Sequence, residues 1–392
     1  MKLGFIRKID RYIGPVVCFF LCSCEKLRSL LKTAAQEETG ARIEKILVIK
    51  FWGFGSIVLS FDAFQLIRQR FPEARIYVLT LKQNRQIYEM CNLFDEIIEI
   101  EIRSFFTLIS DTAKTIARLR KVSFDAALDF EFTSRYSALL TFFSGAKRRL
   151  GFNYKGIFRG GCFTKELSFK ENIKIKESFL DLAGLIAPRK KDAVFPCRLT
   201  LDKKHSDHVD SLFIKEGLDE AYPVIGVNIN ASELSFLRRW PKEYFRDLIN
   251  GLVRRYHAHI ILIGDKSDEE YVRGFAKGFS PENVHNFAGK TSLLDLACLM
   301  RRFNLFISND SGPLHLAAYL GVPTVSFFGP ETPLMYGPEG VKHIVFYENL
   351  SCSPCIRVSN YKHFRCNKGQ LCLRKIYPRI VIDEIERKRI FQ

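Results

Sequence analysis

The sequence predicts an α/β protein made of two doubly wound, parallel-sheet domains. Three observations carry this. Short runs are apolar at every position, as in strands buried on both faces, rather than alternating as in half-exposed strands. Amphipathic stretches separate the runs, giving strand–helix–strand repetition. The pattern then restarts beyond residue 200. A chain of 392 residues has room for two such domains. Its 47% hydrophobic and 26% charged content excludes a disordered tail or a disulfide-held miniprotein. Eleven scattered cysteines, an odd number, fit a reduced, cytoplasmic protein. The net charge of +17 points to an anionic partner: nucleic acid, anionic lipid or a phosphorylated substrate.

In chain order, residues 1–43 hold an apolar run from Tyr12 to Cys24, interrupted by Gly14 and Pro15. It is too short to span a bilayer as a helix. Arg7, Lys8 and Arg11 precede it, and Lys26, Arg28 and Lys32 follow. Two readings stand: a helix packed on the protein, or a segment in a lipid interface with its cations at the headgroups. Asp10 and Arg11 crowd the run and no A-x-A site follows, which argues against a signal peptide. The first domain is expected over 44–187. Its strands read as Ile46–Ile49, Ile76–Leu79, Asp95–Ile100 and Ala126–Phe130, with Gly53 and Gly55 after the first. A helical stretch through Phe64, Leu66, Ile67 and Phe71 stops at Pro72. Residues 188–218 are assigned to a linker, on the Pro, Lys, Arg and Asp content of Pro188 to Lys204. The second domain, 219–375, has strands at Val224–Val227, Ile260–Gly264, Leu305–Ile307 and Thr324–Phe328, and a helix from Pro241 to Tyr256. Residues 376–392 form a C-terminal tail helix. Ligands of such sheets bind at the strand C-termini, so the expected site is the cleft between the domains.

The stretch from Ile307 to Ala318 is the richest in chemistry. A strand ends, a turn of Asn309, Asp310, Ser311 and Gly312 follows, and Pro313 opens a helix. The free N–H groups of that helix start suit an anion, and Gly312 permits close backbone approach. Ser311 adds a hydroxyl, Asp310 an acceptor for sugar hydroxyls, and His315 a ring within the first turn. Phe328-Gly329-Pro330-Glu331 forms another turn at the same sheet edge. Arg238 and Arg239, before Trp240-Pro241, read either as diphosphate ligands or as a charged helix start.

The segments Asn309–Ala318, Gly321–Val325 and Phe328–Pro330 resemble the signature of glycosyltransferase family 9, the ADP-heptose:lipopolysaccharide heptosyltransferases. Asn286–Leu293, Arg239–Phe245, Lys45–Phe71 and Asp129–Leu140 resemble its other markers, in family order. The resemblance implies a GT-B fold, two facing Rossmann-like domains with the acceptor on the first and the nucleotide-sugar on the second. It implies inverting transfer with no metal or other cofactor. It places Asp310, Ser311, Gly312 and His315 on the sugar and diphosphate, and Arg238 where the family often has a phosphate-binding lysine. Gly264 begins a loop reaching toward the nucleotide, and Gly55 and Arg135 fall on the acceptor side. The implied partners are a nucleotide-diphosphate sugar, ADP-heptose by analogy, and a lipopolysaccharide core or other glycan. The basic side chains at both ends of the chain, with the apolar run in the first 43 residues, add the expectation of an anionic membrane surface and a peripheral place on the inner face of the inner membrane; nucleic acid is not among the expected partners.

One departure matters. The family's Gly-Asp after the first strand, whose Asp is its presumed general base, is here Gly55-Ser56. A hydroxyl is a poor base at neutral pH. Asp62, Asp129 and Glu131 are the replacement candidates, Glu131 preferred. The alternative is a catalytically silent nucleotide-sugar or glycan-binding homologue. Near the C-terminus Cys352, Cys355, Cys366 and Cys372 read as free thiols, a structural metal site or disulfides; only the first pair has metal-knuckle spacing. The assignment is no catalytic metal.

Overall fold

The computed structural model describes residues 10–20, 42–101, 104–190, 195–218, 221–231, 236–360 and 364–391. The chain divides into two compact units, Met1–Thr200 and Leu201–Gln392. The division falls within the stretch expected as linker. That stretch also contains a helix, Lys203–Glu216, which packs on the helix Leu293–Met300 of the second unit.

The first unit holds six strands: β1 (Lys45–Ile49), β2 (Arg75–Leu81), β3 (Glu96–Ile100), β4 (Ala126–Asp129), β5 (Arg148–Asn153) and β6 (Lys165–Ser168). All pairs are parallel, in the order β3-β2-β1-β4-β5-β6. The second unit repeats the order with β7 (Val224–Asn228), β8 (His259–Leu262), β9 (Val284–Asn286), β10 (Leu305–Asn309), β11 (Thr324–Phe328) and β12 (His343–Tyr347). Its sheet runs β12-β11-β10-β7-β8-β9, again wholly parallel. Both sheets therefore have the doubly wound dinucleotide-fold order. The apolar runs sit where expected: Ile46, Leu47, Val48 and Ile49 are fully buried, as are Ile225, Val227, Leu305 and Ile307. Gly226 in β7 is dictated by packing, because a Cβ there would strike the Phe303 ring.

Four strands went unanticipated. β5, β6 and β9 are short or carry Arg, Lys, Asn or His, and β12 lies at the sheet edge, so none presents a continuous buried run. The helix expected from Pro241 starts at Lys242, with Pro241 in the capping position. The tail helix, Pro378–Arg387, packs on Lys242–Tyr256 through Val381 and Ile385. At the N-terminus, residues 10–20 are helical with a turn at Ile13 and pack on the first unit, Cys18 joining Ala138, Cys162 and Phe163. The rest of that apolar run lies outside the described residues. No described helix is long and apolar enough to cross a membrane.

Candidate functional site

In this strand order the chain leaves the two central strands in opposite directions, which opens a crevice beyond their C-terminal ends. In the second unit these strands are β7 and β10. Asn228, ending β7, donates from Nδ2 to Ser311 Oγ at 3.0 Å, and Ser308 Oγ lies 2.8 Å from the same hydroxyl. Asn309, ending β10, accepts the Trp240 N–H at 2.8 Å and donates to the Asn230 carbonyl at 3.0 Å. Asn230 in turn donates to Asp268, after β8. These amides stitch together the loops at the sheet edge.

Ser311 occupies the capping position of the helix Gly312–Tyr319, yet its side chain makes no capping bond. Its hydroxyl is held instead by Asn228 and Ser308. Ser311 therefore gives no side-chain cap to the first-turn amides, and a helix start of this kind at the crevice suits an anion. Asp310, beside it, accepts from Arg238 Nη1 at 3.2 Å, and the same Nη1 lies 3.5 Å from Glu331 Oε2. His315 Nε2 stands 3.9 Å from Asp310 Oδ1. Burial works against the Arg238 charge, but Asp310 and Glu331 outweigh it and raise its pKa. Arg238 therefore organises two buried carboxylates as well as lining the site. Arg239 stacks over the Phe236 and Tyr271 rings, at 4.0 and 4.3 Å. Gly264 lets its loop close on the neighbouring turn: it accepts the Gly289 N–H at 3.0 Å, and a Cβ would meet Asp268 at 2.8 Å.

In the first unit the central strands are β1 and β4. Glu131, just past β4, is buried. Its Oε1 accepts from the Phe51 N–H at 2.7 Å, the Trp52 N–H at 2.9 Å and Lys50 Nζ at 3.1 Å. All three bonds fall on one oxygen, so the loop after β1 is clamped and the carboxylate is fixed in orientation. Lys50 also lies over the Phe132 and Phe179 rings. Asp129 is fully engaged: it accepts from Arg159, from Ser137 Oγ at 2.8 Å and from the Glu131 N–H at 2.9 Å. Burial pushes its pKa up to about 6, against the opposing pull of Arg159. Asp62 sits on the helix Phe61–Arg70 in an ion pair with Lys176 at 2.6 Å. Ser56 lies in the short helix Phe54–Val58 beside buried Gly55, and its Oγ is buried with no partner among the described residues. Arg135 is occupied by carbonyls, donating to Phe158 at 2.8 Å and Asp10 at 3.4 Å.

The structure thus gathers Asp310, Ser311, Gly312, His315 and Arg238 at one strand edge and Glu131 with the loop after β1 at another. It sets Asp62 and Arg135 apart in contacts of their own. Sequence reasoning assigned no role to Asn228, Asn230, Glu331, Lys50 or Arg159. Asn-x-Asn directly after a buried strand is a readable signal for the first two; nothing local marks Arg159, which acts across 30 residues of chain on Asp129.

Cys352, Cys355, Cys366 and Cys372 line one cavity with Leu237 and Pro330, next to the loop that carries Glu331. No disulfide joins them. Burial, with the neighbouring thiols, pushes the Cys355 pKa up to about 11. Among the described residues no three His, Cys, Asp or Glu side chains are close enough together to hold a metal ion.

The model of glycosyltransferase family 9 (heptosyltransferase) matches residues 112–364. Lipopolysaccharide heptosyltransferase 2 of Escherichia coli is 25% identical over 300 residues, covering 74% of this chain and 84% of its own. The structure of E. coli ADP-heptose lps heptosyltransferase II aligns with a TM-score of 0.70 at 23% identity, covering 88% of this chain and 98% of that one. E. coli heptosyltransferase WaaC with ADP aligns with a TM-score of 0.65 at 19% identity, covering 88% and 99%. Those likenesses give the fold as GT-B. With the family's signature lying along an uncapped helix start at the β7/β10 crevice, this chain belongs to glycosyltransferase family 9, the heptosyltransferases.

Proposed function

We propose that this protein transfers a heptose from ADP-heptose to a lipopolysaccharide-core acceptor, by inverting displacement without a metal. The observation that carries the reading is the helix start at Gly312, left without a side-chain cap and flanked by Asp310 and His315. Relatives named for heptosyltransfer to lipopolysaccharide, and a solved one with ADP, support the donor and acceptor classes. The diphosphate is held by the first-turn amides, and Asp310 accepts from a sugar hydroxyl. In the reaction an acceptor oxygen bonds to the anomeric carbon as the bond to the diphosphate breaks. ADP departs with the electron pair, and a base takes the acceptor proton. Glu131 is the base of this reading, since Oε1 is anchored and Oε2 stands outside that network. The first unit offers no imidazole alternative, for every histidine lies beyond residue 200.

A second reading, binding without transfer, is favoured by Ser56. Its hydroxyl stands where the family has its presumed base, and among the described residues no carboxylate or imidazole hydrogen-bonds to it. One assay separates the two: heptose transfer from ADP-heptose to a heptose-deficient lipopolysaccharide core. The transferase reading expects turnover, reduced about 10²–10⁴-fold by Glu131→Gln with ADP affinity kept. Tight ADP binding without turnover on any core acceptor is the result expected of the silent reading.

A further inference from the structure

The helical residues 10–20 are seated in reverse of an ordinary surface helix. Asp10 accepts the Tyr136 N–H at 2.7 Å, Gly14 presses on Arg135, and Cys18 is fully buried beside Ala138, Cys162 and Phe163. These positions recur every four residues, so one stripe of small side chains faces the protein. The close seat requires them: a Cβ on Gly14 would come within 2.7 Å of Arg135 Cδ. The large apolar side chains point the other way. Tyr12, Ile13, Val16, Phe19 and Phe20 are 54–68% exposed, although a helix in water normally buries such a stripe.

We propose that this outward face inserts into the interfacial layer of an anionic lipid bilayer. The charges select that occupant. Arg11 is exposed at the edge of the face, its guanidinium 5.8 Å from the centre of the Tyr12 ring. Lys2, Arg7 and Lys8 precede the helix in sequence and Lys26, Arg28 and Lys32 follow. Asp10 and Glu25 are the only acids in the first 32 residues, and Asp10 is turned inward onto Tyr136. Aromatic and aliphatic side chains flanked by cations match an interfacial anchor. A second copy of this chain would bring like charges together. The inference goes beyond the transferase reading and stands whichever donor the second unit binds.

The test is flotation of the full chain with vesicles of phosphatidylcholine alone, or with about one-third phosphatidylglycerol. The wild type should float with the anionic vesicles. The triple variant Tyr12→Ser, Phe19→Ser, Phe20→Ser should lose at least about tenfold in partitioning, because it removes the aromatic anchors while sparing the packed stripe. Its melting curve and ADP affinity should match the wild type, which separates failure of this surface from failure of the donor site. Equal flotation of wild type and variant would overturn the proposal, as would equal binding to neutral and anionic vesicles. So would a wild type that does not float but forms dimers the variant abolishes, which assigns the face to a second copy.

Discussion

Arg238 carries more in the folded unit than its place in the sequence suggests. Its place before Trp240-Pro241 marked it as a phosphate ligand, but in the folded unit it already answers Asp310 and Glu331. Removing it strands two buried carboxylates. Arg238→Ala should therefore destabilise the second unit by about 3–5 kcal/mol, measured by denaturant unfolding. Loss of ADP affinity with stability unchanged would show a plain ligand instead. Ser56 is the complementary case. Its hydroxyl, buried with no partner among the described residues, lies in the short helix after the loop that Glu131 clamps, so Ser56→Asp restores the family's carboxylate there. In the transfer assay, turnover by Ser56→Asp at or above the wild-type level is expected. A fall would mean that the site has adapted to the hydroxyl.

At the scale of elements, the helix starts decide how the crevice is held. Trp240 joins the Arg238 loop to the sheet: it stacks on Phe327 at 4.1 Å, and its Nε1 donates to the Ile376 carbonyl at 3.0 Å. Trp240→Ala should cost about 3–5 kcal/mol in unfolding experiments, through the cavity and the unpaired carbonyl. The helix Leu293–Met300 opens with a reciprocal Ser292–Asp295 capping box, and Asp295 also meets His205 at 2.6 Å. Burial raises the Asp295 pKa, but the bonds from His205 and Ser292 outweigh it and leave it below the ordinary 3.8. A depressed carboxylate stabilises the fold above its unfolded pKa and loses that contribution as pH falls through its folded value. The stability difference between wild type and Asp295→Asn should be about 1–2 kcal/mol near pH 7 and should shrink below about pH 4. Elements were legible where burial was two-sided: β1, β7 and β10 each stand out as an unbroken apolar run. β5, with Arg148, Arg149 and Asn153, carries no such mark, because its membership is decided by pairing with β4 and β6. The Gly312 helix was legible because strand, turn and Pro313 are contiguous. The Glu131 clamp was not, since its donors at 50–52 lie some 80 residues away in sequence.

At the scale of the whole molecule, one strand order is used twice, and the two copies have been given different edges. The first unit ends its central strands in a carboxylate and a lysine locked together; the second ends them in amides, hydroxyls and a helix start without a side-chain cap. The net charge of +17 suits both a diphosphate donor and a phosphate-bearing surface. The account rests on that helix start as the place where the nucleotide diphosphate binds. Calorimetric titration of ADP into the full chain and its Gly312→Val variant tests this most directly. The account predicts saturable one-to-one binding by the wild type and at least about tenfold weaker binding by a folded variant, because branched methyls would keep the anion from the first-turn amides. Equal ADP affinity in the two proteins, with matching melting curves, would contradict it.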